Sequence, residues 1–321
     1  MNLSDNVSWN EASIVRHAKP SVTLASGVEP GLARLPHLRE LAKLHLRRLA
    51  HPGATQRWLQ LLNSHPAFSE FVQHRPAVLN KIYRPYLTST LNVEGRLAVL
   101  TSHYAFMFSH GLAALLAQAS RNGFLLARIV GKTGIAYEVQ LRAVGTCERE
   151  GELVLQLHCD GAVVYSTAFT FSTQDGVALV SIGCLQGPRG ADAMAAIKQA
   201  TRELHGMRAK SLLVGLVQQL GDALGCTELR LVGNANRTAG RAVKRGHVRA
   251  DYEQLWHELG ARRRADGDFA MPCAPLAPLD VEQVVQKRRS EARKRYAMLQ
   301  EVTDDVIAQF VGRGRPALMA A

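Results

Sequence analysis

The chain has 321 residues, of which 47% are hydrophobic and 21% charged, with a formal net charge of +12. This is enough apolar material for a sizeable core in one long or two modest domains, and it excludes disorder throughout. No apolar run reaches the roughly 18 residues a membrane-spanning helix needs. The N-terminal MNLSDNVSWNEASIV lacks the basic start and apolar core of a secretory signal. A cytoplasmic location is therefore the expectation, with peripheral attachment at the inner membrane allowed by the charge. The five cysteines contain no CxxC pair, so neither a zinc knuckle nor a disulfide framework is indicated, and no metal site is expected. The positive charge points to an anionic partner: nucleic acid, acidic lipid, acyl carrier protein or a nucleotide cofactor.

Residues 1 to about 30 show no hydrophobic period and read as a loose arm. From 31 to 122 the pattern is helical. Leu38, Leu41, Leu44, Leu46 and Leu49 fall at helical spacing, a second set (Trp58, Leu59, Leu61, Leu62) follows the break at His51-Pro52-Gly53, and Pro66, Pro76 and Pro85 punctuate the next stretch. One long helix is expected from Val93 to Ser120, since Leu97, Leu100, Tyr104, Met107, Phe108, Leu112, Leu115 and Leu116 keep one face apolar.

At Gly123 the period switches to two. Tyr137, Val139 and Leu141 alternate with polar residues, as do Leu153, Leu155 and Leu157, and then Tyr165, Thr167, Phe169 and Phe171. Breaks at Asp160-Gly161 and Asp175-Gly176 have hairpin length. The pattern predicts an antiparallel meander of four to five strands ending in Val177–Leu185, which is apolar on both faces as befits a central strand. Helices are expected at Ala191–His205 and Lys210–Leu224, then a strand at Thr227–Val232 that a helical connection allows to lie parallel to Val177–Leu185. A helix at Asp251–Leu259, a loop over 261–279 with one strand at Phe269–Met271, and a long, strongly charged helix at Asp280–Phe310 complete the chain. The domain reading is an arm (1–30), a helical region (31–122), an α/β domain (123–279) and a basic C-terminal helix and tail (280–321).

Several blocks resemble the VirK/YbjX family of Gram-negative bacteria: IYRPYL (Ile82 to Leu87), His103-Tyr104, SIGCLQGP (Ser181 to Pro188), LHGMRAKSLL (Leu204 to Leu213), ADYEQLWHELG (Ala250 to Gly260) and KRRSEARKRYAML (Lys287 to Leu299). That resemblance implies a cytoplasmic or envelope-associated factor linked to virulence and envelope stress, without an agreed biochemical activity. The strand order also looks like that of the GNAT acyltransferases. The fold class expected is thus α+β: a helical N-terminal region, a GNAT-like mixed but mostly antiparallel sheet with helices, and a long basic C-terminal helix. Asn236, Ala239 and Lys244-Arg245 before Gly246 approximate the closing segment of GNAT proteins. Val243, however, stands where the usual Tyr acid would be, the Gly comes one residue early, and His247 replaces a Phe, so that general acid does not carry over.

The GNAT resemblance implies a cofactor, acyl-CoA or an acyl carrier protein, whose phosphates sit on N–H groups at a helix N-terminus. Gln186–Ala191 and His205–Ser211 are the two candidate loops, and the second is preferred because it leaves one helix between the paired strands. The cofactor set is therefore Ile182, Gly183 and Cys184 on the central strand, Arg208, Ala209, Lys210 and Ser211 at the helix start, and Asn234 and Asn236 after the next strand. Acyl transfer to an amine or hydroxyl of a small molecule, peptide or protein needs a base and an oxyanion donor. The catalytic candidates are His205, Glu203 and His103, with Tyr104 and Glu228 as possible contributors, while Cys184 has no evident paired base.

Basic clusters at Arg237–Arg249, Arg262–Arg264 and Lys287–Arg295 suggest the alternative, a non-enzymatic envelope or virulence factor that docks to anionic membrane, an acidic carrier or a protein partner through the C-terminal helix. Aromatics make up only 6% of the chain and do not interleave with the basic runs, which argues against nucleic acid.

Overall fold

A computed structural model describes residues 22–143, 147–238 and 251–312. The chain divides into two compact units, Met1–Leu79 and Asn80–Ala321. The first is helical: α1 (Arg34–Ala50), α2 (Pro52–Leu62) and α3 (Pro66–His74). Pro52 and Pro66 each open a helix, where the missing N–H costs nothing. Trp58, Leu62, Phe68, Phe71 and Leu44 are buried. Within the arm expected at 1–30, residues 22–30 are described; there Leu24–Gly27 makes a 3-10 turn, and Val22, Leu24 and Val28 are buried.

The second unit is a mostly antiparallel eight-stranded sheet dressed with helices, an α+β fold. The helix expected at Val93–Ser120 is two helices, α4 (Val93–Ser109) and α5 (Ala113–Arg121), meeting at 113°. Gly111, in the left-handed region at φ +70°, makes the corner that periodicity alone does not reveal. Among the described residues no single helix is long and apolar enough to cross a membrane.

The strands are β1 (Phe124–Val130), β2 (Ala136–Ala143), β3 (Leu153–Cys159), β4 (Ala162–Gln174), β5 (Val177–Gln186), β6 (Glu228–Leu231), β7 (Arg262–Arg263) and β8 (Phe269–Pro272), ordered β1-β2-β3-β4-β5-β6-β8-β7. The five-strand meander is as expected. Asp160-Gly161 and Asp175-Gly176 carry positive φ at both positions, the backbone that two-residue hairpins require. α6 (Ala193–Glu203) and α7 (Ala209–Ala223) form the crossover from β5 to its parallel neighbour β6. β8 pairs antiparallel to β6, and β7, unexpected within the 261–279 loop, forms the sheet edge.

α8 (Glu253–Glu258) follows the undescribed segment 239–250. The C-terminal helix, α9, spans Arg289–Val311 and does not begin at Asp280. Arg289 is the reason: its side chain donates to the Val284 carbonyl (3.0 Å) and to Glu282 (3.1 Å), closing the preceding turn on itself.

Candidate functional site

The parallel ladder between β5 and β6 runs from Leu179–Glu228 to Ile182–Leu231, and Val232 N–H adds a last bond to the Ile182 carbonyl at 3.0 Å. β5 continues to Gln186, paired on its other side with β4 through Cys184–Ala168 and Leu185–Thr167. Among the described residues its β6-side edge is therefore without a strand partner from Gly183 onward. One side chain fills this gap. The Tyr252 phenol donates to the Leu185 carbonyl at 2.6 Å and accepts from the Leu185 N–H at 3.0 Å and from the Arg237 guanidinium at 3.1 Å. A phenol offers one donor and two acceptor positions, so its capacity is used up. Arg237 also lies over the ring, 3.9 Å from its centroid. Burial pushes the Tyr252 hydroxyl well above its ordinary range, so it stays protonated.

Around this edge the close packing is specific. A Cβ on Gly183 would overlap the Glu150 carbonyl. Glu150 accepts from Thr238 Oγ1 at 2.7 Å, and Ser89 N–H donates to the Asn236 carbonyl at 2.7 Å. The Cys184 thiol lies 3.7 Å from the Tyr252 oxygen and in hydrogen-bonding contact with the Cys147 thiol, a contact that lowers the pKa of Cys184 and raises that of Cys147.

The start of α7 and the Asn234 loop meet the same tyrosine segment. Arg208 pairs with Glu258 at 2.5 Å, holding that carboxyl below its ordinary range. Asn234 donates to Asp251 at 2.7 Å and accepts from Tyr252 N–H at 3.0 Å. The Asn234 bond, helped by N–H groups of α8 and the charge of Lys210, lowers the Asp251 pKa. Ala209 is buried. Among the described residues Ser211 Oγ has no hydrogen-bond partner. Asn236 donates to the Asp266 carbonyl (2.8 Å) and to Asp268 (2.9 Å), which places it on the loop before β8. Segment 251–258 thus ties together Cys184, Arg208 and Asn234; Ile182 and Gly183 are their neighbours on β5.

The first-choice catalytic residues occupy two other places. Glu203 accepts from the Thr133 N–H (2.9 Å) and hydroxyl (2.8 Å), capping the β1–β2 turn; those bonds depress its pKa. His205, at φ +52°, lies 3.5 Å from Glu291 of α9. His103 is fully buried and accepts the Phe171 N–H at 3.2 Å, and burial pushes its pKa down to about 4. It stands beside a buried network absent from the sequence reading. Lys81 pairs with Glu152 at 2.5 Å, Tyr104 donates to Glu152 at 2.6 Å, and Thr170 Oγ1 meets both Glu152 N–H (3.1 Å) and the Tyr86 hydroxyl (3.0 Å). The signal was a charge at each of two apolar sites, Lys81 before Ile82 and Glu152 before Leu153. Tyr104 was expected on the apolar face of its helix and as a contributor to catalysis, Tyr86 as part of IYRPYL alone, and neither as a partner of this ion pair. Of the loop not preferred, Gln186, with its amide turned so that the oxygen faces Arg189, accepts from that guanidinium at 2.8 and 3.2 Å. Ala239, Val243, Lys244, Arg245, Gly246 and His247 lie outside the described residues.

A family model described as a protein of unknown function (DUF535) matches residues 34–308. The chain belongs to the DUF535 family. The uncharacterised protein YbjX of Escherichia coli (strain K12) is 26% identical over 275 residues, 84% of this chain and 83% of that protein. An uncharacterised Haemophilus influenzae protein is 32% identical over 145 residues, 44% of this chain and 47% of its own. Among solved structures, a mutant form of a cAMP-binding acyltransferase from Mycobacterium smegmatis aligns with 12% identity and a TM-score of 0.29. The alignment covers 71% of this chain and, at 65%, just under two thirds of the acyltransferase. A likeness of that degree does not define a common fold.

Proposed function

We propose that this DUF535 protein is an acyltransferase that moves an acyl group from acyl-CoA or an acyl carrier protein to an amine or hydroxyl acceptor. The observation that carries the reading is the edge of β5 at Leu185, whose N–H and C=O face away from β4 and are held by a side chain instead of a strand. An extended pantetheine arm carries amide groups that can pair with such an edge once the phenol gives way, as in an added strand. The start of α7 supports it, because among the described residues no side chain caps it and Arg208 and Lys210 add positive charge near the same segment. The candidate bases enter unequally. His103 is neutral near pH 7, as a base must be, but buried; Glu203 already serves Thr133; His205 is the more open of the two histidines, with its side chain 14% exposed.

Calorimetry with coenzyme A and an acyl-CoA series tests the reading. The expected result is binding by the wild type that weakens several-fold in Arg208→Ala and Lys210→Ala, with folding retained because Arg208 is exposed and Lys210 only part-buried. No binding by the wild type to any member of the series sinks it.

A second reading, a non-enzymatic factor working through anionic membrane or a protein partner, draws on the exposure of Lys287, Arg288, Arg293 and Lys294 at the start of the C-terminal helix. Charge reversal at these four positions abolishes vesicle or partner capture if it holds.

A further inference from the structure

In α1 the leucines are on the wrong side for a packed helix. Leu44 is 1% exposed and faces the interior of its unit, whereas Leu35, Leu38, Leu46 and Leu49 are 80, 59, 66 and 76% exposed. At 100° per residue these four, with Ala42, fall in a stripe about 80° wide, centred opposite Leu44. A contiguous exposed stripe of large aliphatics marks an interaction surface.

Charge selects the partner. α1 holds five cations (Arg34, Arg39, Lys43, Arg47, Arg48) and one acid, Glu40, which is paired to Lys43 at 2.5 Å on the side away from the stripe. The stripe is bordered by Arg39 on one flank and by Arg34 and His45 on the other, and the one acid of α1 lies on the far side, held by Lys43. Pairing with a second copy of α1 would set cation against cation, since the alternating charges that join two such helices are missing. Leucines bordered by basic residues match an anionic lipid surface, where the apolar face enters the acyl boundary and the cations meet the phosphates. Beside the helix, an open groove of about 690 Å³ lined by Leu24, Leu41, Leu59, His45 and Arg48 offers apolar space with a guanidinium at its wall.

We propose that α1 is a membrane-docking helix that lays its Leu35–Leu49 stripe on an anionic bilayer surface. This is independent of the acyl-transfer reading.

The test is sedimentation of the full chain with vesicles of phosphatidylglycerol and phosphatidylcholine, and with vesicles of phosphatidylcholine alone. Binding to the anionic vesicles only is expected, at least tenfold weaker in Leu35→Gln/Leu38→Gln/Leu46→Gln/Leu49→Gln; glutamine keeps helix propensity, so folding is retained. In a separate Leu35→Trp variant, the emission should shift to the blue with anionic vesicles. Three outcomes overturn the proposal: wild-type sedimentation unchanged by the glutamine variant, loss of binding only on charge reversal at Lys287 and Arg288, or concentration-dependent self-association that the glutamine variant abolishes in the absence of any vesicle binding.

Discussion

The Tyr252 phenol bonds both backbone groups of Leu185, donating to its carbonyl at 2.6 Å and accepting its N–H at 3.0 Å. A side chain from 67 residues downstream thus completes the central strand where its parallel neighbour stops. Tyr252→Phe leaves a buried donor and acceptor unpaired and removes a contact of Arg237. It should lower stability by about 1–3 kcal/mol in urea unfolding. An unchanged midpoint would mean that water or Arg237 takes over the edge.

Lys81 and Glu152 form an ion pair whose side chains are 2 and 0% exposed. Taking away one partner strands a charge in the core, so Lys81→Met should cost about 3–5 kcal/mol. Lys81→Met/Glu152→Gln should recover part of that loss, because a neutral amide can still accept from Tyr104. Chemical denaturation of the single and double variants gives the coupling directly.

His103 gives the stability a pH dependence of definite sign. Its pKa is about 4 in the folded protein against 6.5 for the free imidazole, so between these values the unfolded chain binds more protons. The contribution is present in full above pH 6.5 and is lost as pH falls toward 4, to an extent of order 3 kcal/mol. His103→Gln retains an acceptor for the Phe171 N–H and does not titrate. Its melting temperature should therefore fall less steeply than that of the wild type between pH 6.5 and 4.

Gly183 has no room for a methyl group, since a Cβ would overlap the Glu150 carbonyl. Gly183→Ala must move either β5 or the turn at 147–151, and both are held by backbone bonds. A marked fall in melting temperature is expected, with the Leu185 edge disturbed even in protein that folds. Gly190→Ala, beside open space but at φ +104°, should cost only the local backbone strain. Thermal melts of the two variants separate the effects.

The element types were legible in the chain because they depend on local order. Alternation of period two marked β2 and β3, and the Asp-Gly pairs at 160 and 175 carried the backbone preference of their turns. The apolar Val177–Leu185 run, followed by helices and a second strand, was enough to expect the parallel pair β5–β6. The bend at Gly111 and the delayed start of α9 were not legible: the first turns on one backbone angle, the second on one arginine reaching back to Val284.

The site divides in the same way. Residues at the start of α7 and in the Asn234 loop could be proposed from sequence, since helix termini and polar loops are local features. That Tyr252 closes the β5 edge and that Lys81 finds Glu152 are pairings across 67 and 71 residues. Nothing local encodes them; each is chosen when burial forces a polar group to take the partner that tertiary packing brings within reach.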